Sequence, residues 1–320
     1  MDRRICLFET QYSLMVYLFL DKNWDKRKYI LISDRIVEIM KRMQELKMDV
    51  SFSPILQWSN KTFSNNHYLW KKFNKVFRYF VALWSFCHRS VPVYGQDHVF
   101  YSRCFFNHDF YLIEDGMMFY QSYEYQKEHG VEKNWWKRYV TCGWNEYVKE
   151  IYYTGRGSVP EGLQKKSVVF NLQDKWNNMT EMEQMKILFV LGCDAKKIEA
   201  LVNSGRRNVL LTQPFYKDFN INEYGHIKGY EDILKNYDMN IIIIKTHPED
   251  TIEYEKFFPN CVVLRDRFPF ELCYFIGINF DKLISINSTA TMSGLWDESH
   301  IDIYREIYDK MVSYSIDMKY

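Results

Sequence analysis

Four short polar runs in this chain combine side chains that can move a proton or hold an anion, and each follows an apolar stretch. Tyr111-Leu112-Ile113-Glu114-Asp115-Gly116 ends in two adjacent carboxylates and a glycine. A carboxylate held there can take a proton from a hydroxyl, while Gly116 permits a tight turn. Taken by itself the run also reads as an ordinary acidic turn. In Ile241–Ile244 followed by Lys245-Thr246-His247-Pro248, a cation and an imidazole emerge together where Pro248 stiffens the exit. That pair suits a phosphate. In Arg267-Phe268-Pro269-Phe270-Glu271, Pro269 sits where a helix would begin and Glu271 falls in its first turn. Its carboxylate can accept two hydrogen bonds from a ribose diol, or simply complement the helix dipole. In Leu283–Ala290, an apolar run leads into Asn287-Ser288-Thr289 and then a predicted helix start. Backbone N–H groups and two hydroxyls make a phosphate site there, or a plain helix cap. Each run is weak alone, and their order and spacing carry more than any one of them.

The elements that must position these groups follow from hydrophobic patterning. Arg4–Phe8 reads as a strand, with a helix from about Ser13. Tyr29–Ile32 reads as a strand and Val37–Leu46 as a helix. Further strands are predicted at Val99–Phe106, Phe110–Ile113, Val168–Phe170, Ile187–Leu191, Val209–Leu211, Ile241–Ile244, Cys261–Leu264 and Leu283–Ile286, with a helix at Glu223–Asn236. Strands alternating with helices predict parallel sheets covered on both faces, and the later strands are continuous apolar runs, as double-sided burial requires. Ligands of such sheets bind outside the carboxyl ends of the strands, where all four runs lie. Thr154–Gly162 carries three glycines and a proline in nine residues, which reads as a linker dividing residues 1–160 from 161–320.

Composition sets the bounds. The chain has 320 residues, enough for two domains, and 42 Lys plus Arg balance 41 Asp plus Glu. No bulk charge advertises a nucleic acid. Seven scattered cysteines with no Cys-x-x-Cys argue against a disulfide framework or a zinc site and fit a reducing compartment. No stretch approaches the ~20 apolar residues of a membrane span, and the N-terminal run, broken by Glu9 and Gln11, is a poor signal peptide. A cytoplasmic protein is expected. Tyr68–Phe86 interleaves aromatic residues with Lys71, Lys72, Lys75 and Arg78. The favoured reading is an amphipathic helix packed on its own domain. The alternative is a surface for an anionic membrane, where a lipid-linked substrate would be found.

Taken together, Glu114-Asp115-Gly116, His247-Pro248 and Ser288-Thr289 resemble the motifs of the bacterial sialyltransferases. Thr212-Gln213-Pro214 and the Lys-x-His-Pro form point towards glycosyltransferase family 52, which includes lipooligosaccharide and capsule sialyltransferases. The resemblance spans residues 111–290 and implies an α/β, GT-B fold: two Rossmann-like domains with a cleft between them. The N-terminal one would bind acceptor and the C-terminal one the nucleotide sugar. It implies transfer of sialic acid, with inversion, from CMP-sialic acid to a terminal galactose of a surface glycan. On this chain it makes Asp115 the general base and His247 the general acid or phosphate stabiliser. Ser288 and Thr289 would hold the phosphate and Glu271 the ribose, with Lys245, Pro248 and Asn287 lining the donor site. Glu114, Gly116 and Gln213 are secondary candidates. The family pattern departs at Thr289, where many relatives have a second Ser. An acid nearer His247, Asp218 or Glu223, is the alternative base.

A monophosphate leaving group lowers the need for a divalent ion, and the chain has no Asp-x-Asp. No metal or other cofactor is expected, no nucleic-acid partner, and a homodimer is the default assembly. Two other readings stay open: a GT-B enzyme using another nucleotide sugar, and a non-catalytic protein of polysaccharide assembly. The acceptor position, and capsule against lipopolysaccharide, are left open.

Overall fold

A computed structural model describes residues 3–8, 10–31, 37–52, 76, 79–99, 102–129, 140–217 and 220–317. The chain forms two compact units, 1–191 and 192–320. Each is built on a sheet whose described strand pairs are all parallel.

The first sheet comprises β1 (Arg3–Leu7), β2 (Lys28–Leu31), β3 (Asp49–Phe52), β4 (Val93–Gly95), β5 (Phe110–Ile113), β6 (Val148–Tyr153) and β7 (Ser167–Val169). Their order is β3-β2-β1-β4-β5-β6-β7. The chain therefore winds outward from β1 in one direction and returns to β4 on the other side. That reversal opens a crevice at the carboxyl ends of β1 and β4, the place where doubly wound sheets take ligands. At Gly95 the two strands approach so closely that a Cβ would lie 2.3 Å from the Leu7 carbonyl oxygen, at φ +145°. Only glycine fits there.

The first unit's α1 (Gln11–Leu20) is capped by the Thr10 side chain and buries Ser13 through Phe19, so it lies inside the unit rather than on its surface. Further helices are α2 (Val37–Glu45), α3 (Tyr123–His129), α4 (Leu172–Asn177) and α5 (Glu181–Leu191). The last two set the domain boundary. Trp176 stacks on Phe19 at 5.3 Å, Lys186 pairs with Asp25 at 2.7 Å, and the Arg42 Nε donates to the Val190 carbonyl at 2.8 Å. With β7 completing the sheet, the units divide after Leu191 and not at 160. Thr154–Gly162 joins two neighbouring strands of one sheet and is no interdomain linker.

Two predicted strands are absent among the described residues. Ile187–Leu191 belongs to α5, because Thr180 and Glu183 form a reciprocal capping box (Thr180 N to Glu183 Oε2 2.8 Å, Glu183 N to Thr180 Oγ1 3.3 Å) that starts a helix upstream. Its buried Ile187, Val190 and Leu191 have helical spacing. Within Val99–Phe106, residues Ser102–Phe105 form a 3-10 turn, tied by Ser102 Oγ donating to the Gln96 carbonyl at 2.6 Å.

In Tyr68–Phe86, Trp70, Phe73, Phe77, Arg78 and the three lysines lie outside the described residues. Residues 79–87 are helical, with Val81 and Ser85 buried. Tyr79, Phe80, Leu83 and Phe86 are 73%, 55%, 63% and 57% exposed. Val81, Ser85 and the partly buried Trp84, edge-on to Phe105 at 6.2 Å, pack on the first unit's core while the remaining described aromatic residues face outward, so the described part is the amphipathic helix expected for this segment.

The second sheet comprises β8 (Asn208–Leu211), β9 (Ile242–Lys245), β10 (Val262–Leu264), β11 (Lys282–Ser285) and β12 (Ile301–Ile303), ordered β10-β9-β8-β11-β12. This is the same outward-and-back winding, with the reversal between β8 and β11. The apolar runs of β8 and β9 are buried throughout. Helices α6 (Ala195–Asn203), α7 (Glu223–Leu234), α8 (Leu272–Phe275) and α9 (Ile307–Asp317) accompany it. Gly225 and Gly229 let α7 lie against α9: a Cβ would meet Ser315 Oγ at 2.1 Å and Met311 Cγ at 2.4 Å. All seven cysteines are free thiols, five of them buried. Among the described residues no helix is long and apolar enough to cross a membrane.

Candidate functional site

In the first unit, the segments after β1, β4, β5 and β6 bring a polar cluster together at one sheet edge. The adjacent acids Glu114 and Asp115 separate completely in role. Glu114 is fully buried. Its carboxylate accepts from the Tyr120 hydroxyl at 2.6 Å, from Thr154 N at 2.6 Å, from Thr154 Oγ1 at 2.9 Å and from the Tyr12 hydroxyl at 3.3 Å. Arg156 Nε lies 3.8 Å from Glu114 Oε1, and the guanidinium stacks over the Tyr12 ring at 4.1 Å. Burial, then the Glu114 charge, pushes the Tyr120 hydroxyl well up. Glu114 is thus a clamp joining the ends of β5 and β6. A pleated strand sends successive side chains to opposite sides, so Asp115 faces elsewhere. Gly116, at φ +97°, then turns the chain as expected.

Asp115 keeps 11% of its side chain exposed. It accepts from the Thr10 hydroxyl, the residue that caps α1, and its Oδ2 lies 3.7 Å from His98 Nε2. Burial pushes His98 down to about 4, so the ring is neutral near pH 7. Beside it Asp97 is fully buried and accepts from Cys142 N (2.9 Å), Gly143 N (2.8 Å) and Asn145 Nδ2 (2.8 Å). Burial outweighs these donors and pushes the Asp97 carboxyl up to about 6. One ligand atom each of Asp97, His98 and Cys142 lies within 4.8 Å of the others, but both Asp97 oxygens are already taken by N–H donors.

In the second unit, His247 follows β9 on a short loop and is half-buried. Glu249 N donates to His247 Nδ1 at 3.1 Å. Burial lowers its pKa, with Lys245 and Lys217 adding to that and Glu249 and Asp250 opposing it. A backbone N–H can only donate, so Nδ1 carries a lone pair and the neutral ring carries its proton on Nε2. The loop therefore offers a ring N–H. Pro248 is exposed beside it.

Lys245 does not emerge with His247. It is 5% exposed, donates to the Thr246 carbonyl at 3.0 Å and lies 5.0 Å from the Phe268 ring centroid. Burial pushes it down to about 8. The expected pair of cation and imidazole is broken because the strand ends at Lys245, whose side chain is buried in the domain, and His247 lies on the loop beyond it. Glu271 is buried directly ahead of α8, and Leu272 N donates to the Pro269 carbonyl, so Pro269 opens the turn as predicted. After β11, Asn287 and Thr289 are exposed and Ser288 is buried. No helix follows. Thr291 Oγ1 donates to the Ser288 carbonyl at 2.8 Å and contacts Ser285 Oγ at 2.9 Å, and these side-chain bonds hold a turn in place of the expected helix start. Gln213 N donates to the Tyr230 hydroxyl at 2.8 Å just past β8. Glu223 is exposed at the start of α7, and Asp218 lies outside the described residues.

The profile of glycosyltransferase family 52 matches residues 16–305, spanning the strand-end loops of both units. The chain belongs to glycosyltransferase family 52. A Haemophilus influenzae protein described as uncharacterized is 33% identical over 227 residues, 69% of this chain and 71% of that one. The Photobacterium sp. JT-ISH-224 2,6-sialyltransferase, solved with CMP and lactose, superposes with TM-score 0.62 at 12% identity, covering 99% of this chain and 76% of that one. The GT-B domain of the Photobacterium damselae sialyltransferase superposes with TM-score 0.53 at 10% identity, covering 99% and 97%. At such identities the likeness establishes the GT-B fold of this glycosyltransferase.

Within this family 52 chain the sequence missed His98, Thr10, Thr154 and Arg156 in the first unit, and Thr212 and Asp250 in the second. The signal for His98 was its place after β4, but a three-residue strand between Pro92 and Gln96 is too short to show periodicity. Thr154 and Arg156 were hidden by their glycine-rich surroundings.

Proposed function

We propose that this glycosyltransferase is an inverting sialyltransferase that moves sialic acid from CMP-sialic acid to a terminal galactose of a surface glycan. The observation that carries the reading is His247, held just past β9 with its ring proton on Nε2, in a chain matching family 52 over 16–305. The Photobacterium 2,6-sialyltransferase binds CMP and lactose, the two ligand classes proposed here. Asp115 takes the proton of the attacking acceptor hydroxyl. The new bond forms between that oxygen and the anomeric carbon as the bond from that carbon to the CMP phosphate oxygen breaks. His247 donates a hydrogen bond from Nε2 to the departing phosphate. Glu271 holds the ribose, and Asn287, Ser288 and Thr289 hold the phosphate. Positioned groups of this kind contribute about 10²–10⁴-fold each.

The test is incubation with CMP-sialic acid, galactose-terminated acceptors and a chelator, following CMP release and sialylated product. Wild type is expected to be fully active in chelator, and His247→Ala and Asp115→Ala to lose about 10²–10⁴-fold in kcat. Loss of activity in chelator would refute the metal-free reaction. Product surviving Asp115→Ala would move the base to Asp218 or Glu223.

The acceptor is proposed to be lipid-linked. Support comes from the outward Tyr79, Phe80, Leu83 and Phe86 next to Arg89 and the basic run at 71–78. Sedimentation with anionic but not neutral vesicles, weakened by Phe80→Ser with Leu83→Ser, is expected. Equal sedimentation with both lipids would sink this part.

A further inference from the structure

Beneath His247 lies a chain of hydrogen bonds that the proposed chemistry does not touch. Thr212, just past β8, donates its hydroxyl to Asp250 Oδ2 at 2.6 Å. The same hydroxyl oxygen accepts the backbone N–H of His247 at 3.2 Å. The Tyr254 hydroxyl donates to Asp250 Oδ2 at 2.7 Å, and Ile252 N donates to Oδ1 at 3.1 Å. His226 Nε2 lies 2.8 Å from the Tyr254 oxygen. That hydroxyl proton is engaged by Asp250, so His226 is the donor. Asp250 N closes the loop by donating to the His247 carbonyl at 2.9 Å. Thr212, Asp250, Tyr254 and His226 are all buried. Burial pushes His226 down to about 4 and, with the Tyr230 and Asp250 charges, pushes Tyr254 well up, so this chain keeps one direction across the neutral range.

The direction matters for the ring. Asp250 accepts the hydrogen bond of the Thr212 hydroxyl, which leaves the threonine oxygen's lone pair free to accept from His247 N. That contact and the Asp250 N bond fix both backbone ends of the His-Pro turn. The fixed turn in turn aims Glu249 N at His247 Nδ1. We infer that Thr212 and Asp250 are positioning residues that hold His247 as a neutral imidazole with its proton on Nε2. His247 then serves the leaving group as a hydrogen-bond donor without changing its own protonation state. A phosphate monoester with a second pKa of about 6 leaves as a dianion near neutral pH and needs no full proton. Preorganised donors aimed at developing charge are effective without proton transfer.

The inference rests on His247 facing the leaving group, but its test does not require the donor to be CMP-sialic acid. Ring nitrogen signals of histidine-labelled full-length protein, with His247 assigned by its loss in His247→Asn, report tautomer and titration directly. Wild-type His247 is expected as the Nε2–H tautomer, titrating below the usual histidine range. Thr212→Val, which keeps shape and removes the hydroxyl, is expected to move that titration upward as the Nδ1 bond loosens. Its kcat with CMP-sialic acid is expected to fall about 10²-fold with KM nearly unchanged. Thr212→Ser should restore both. Asp250→Asn provides a second variant should Thr212→Val fail to fold, read by the tautomer and by the same fall in kcat, because losing the Asp250 charge itself lowers the ring's titration. A wild-type Nδ1–H tautomer, or a Thr212→Val protein with wild-type titration and kcat, would overturn the inference. A shifted titration in a protein that never turns over CMP-sialic acid would support the positioning role while refuting the donor.

Discussion

Each domain pairs a buried carboxylate with a more exposed group a few residues away, but in opposite arrangements. In the first, Glu114 is the buried acid, and the adjacent Asp115 remains partly exposed. In the second, Asp250 is the buried acid, and the group it presents is His247, three residues earlier in the chain and half-buried. Glu114 is held by three hydroxyl donors, a backbone N–H and a nearby guanidinium. Asp250 is held by two hydroxyls and a backbone N–H. The difference teaches that acidity next to a candidate base or acid does not mark a second catalytic group. Burial and donor count mark the acid that supports the fold.

The largest test of that contrast is to remove each member of the Glu114-Asp115 pair. Glu114→Ala leaves Arg156, whose side chain is 3% exposed, without its buried carboxylate. A loss of about 3–5 kcal/mol in urea unfolding is expected. Asp115→Ala should lose activity while changing stability by less than about 1 kcal/mol. Equal destabilisation by the two would erase the distinction.

A smaller effect is expected where the first sheet's crevice is closed from below. Gly95→Ala sets a Cβ against the Leu7 carbonyl at an unfavourable φ. A cost of about 2–4 kcal/mol, seen as a lower melting temperature, follows from strain plus overpacking. A wild-type melting temperature would show that β1 and β4 can part without loss.

The smallest expected effect is pH-dependent and separates the clusters by their histidines. Burial lowers His98 from 6.5 to about 4, so between those values the unfolded chain binds a proton that the folded chain does not. The stability owed to neutral His98 is therefore complete above the unfolded pKa and lost as pH falls towards 4. His98→Gln should gain on wild type by about 2 kcal/mol between pH 7 and 4.5, the slope being ~1.4 kcal/mol per unit per proton. The raised Asp97 acts in the opposite sense but is common to both proteins and cancels. A constant difference across that range would mean that His98 titrates as in water.

Most of the strand framework was legible because buried parallel strands are continuous apolar runs: Phe110–Ile113, Val209–Leu211 and Ile241–Ile244 were found within a residue. The strands that escaped were short or masked by charge. β6 carries Lys149 and Glu150, β4 is three residues long, and β12 is a three-residue edge. Local signals misled where a remote or neighbouring bond overrode them, as in the Thr291 bond that replaces a helix after Ser288.

The sequence by itself determined that there are two α/β units with polar groups at the carboxyl ends of their strands, because apolar runs and turn residues act locally. It also carried the spacing that marks family 52. Only the tertiary structure decided which of two adjacent acids is buried, that Lys245 turns inward, that His98 stands beside Asp115, and that Thr212 reaches Asp250 across 38 positions. Parallel strands bring their carboxyl ends side by side about 4.8 Å apart, so residues far apart in sequence become hydrogen-bonded neighbours. No local pattern records which of them will be shielded from water.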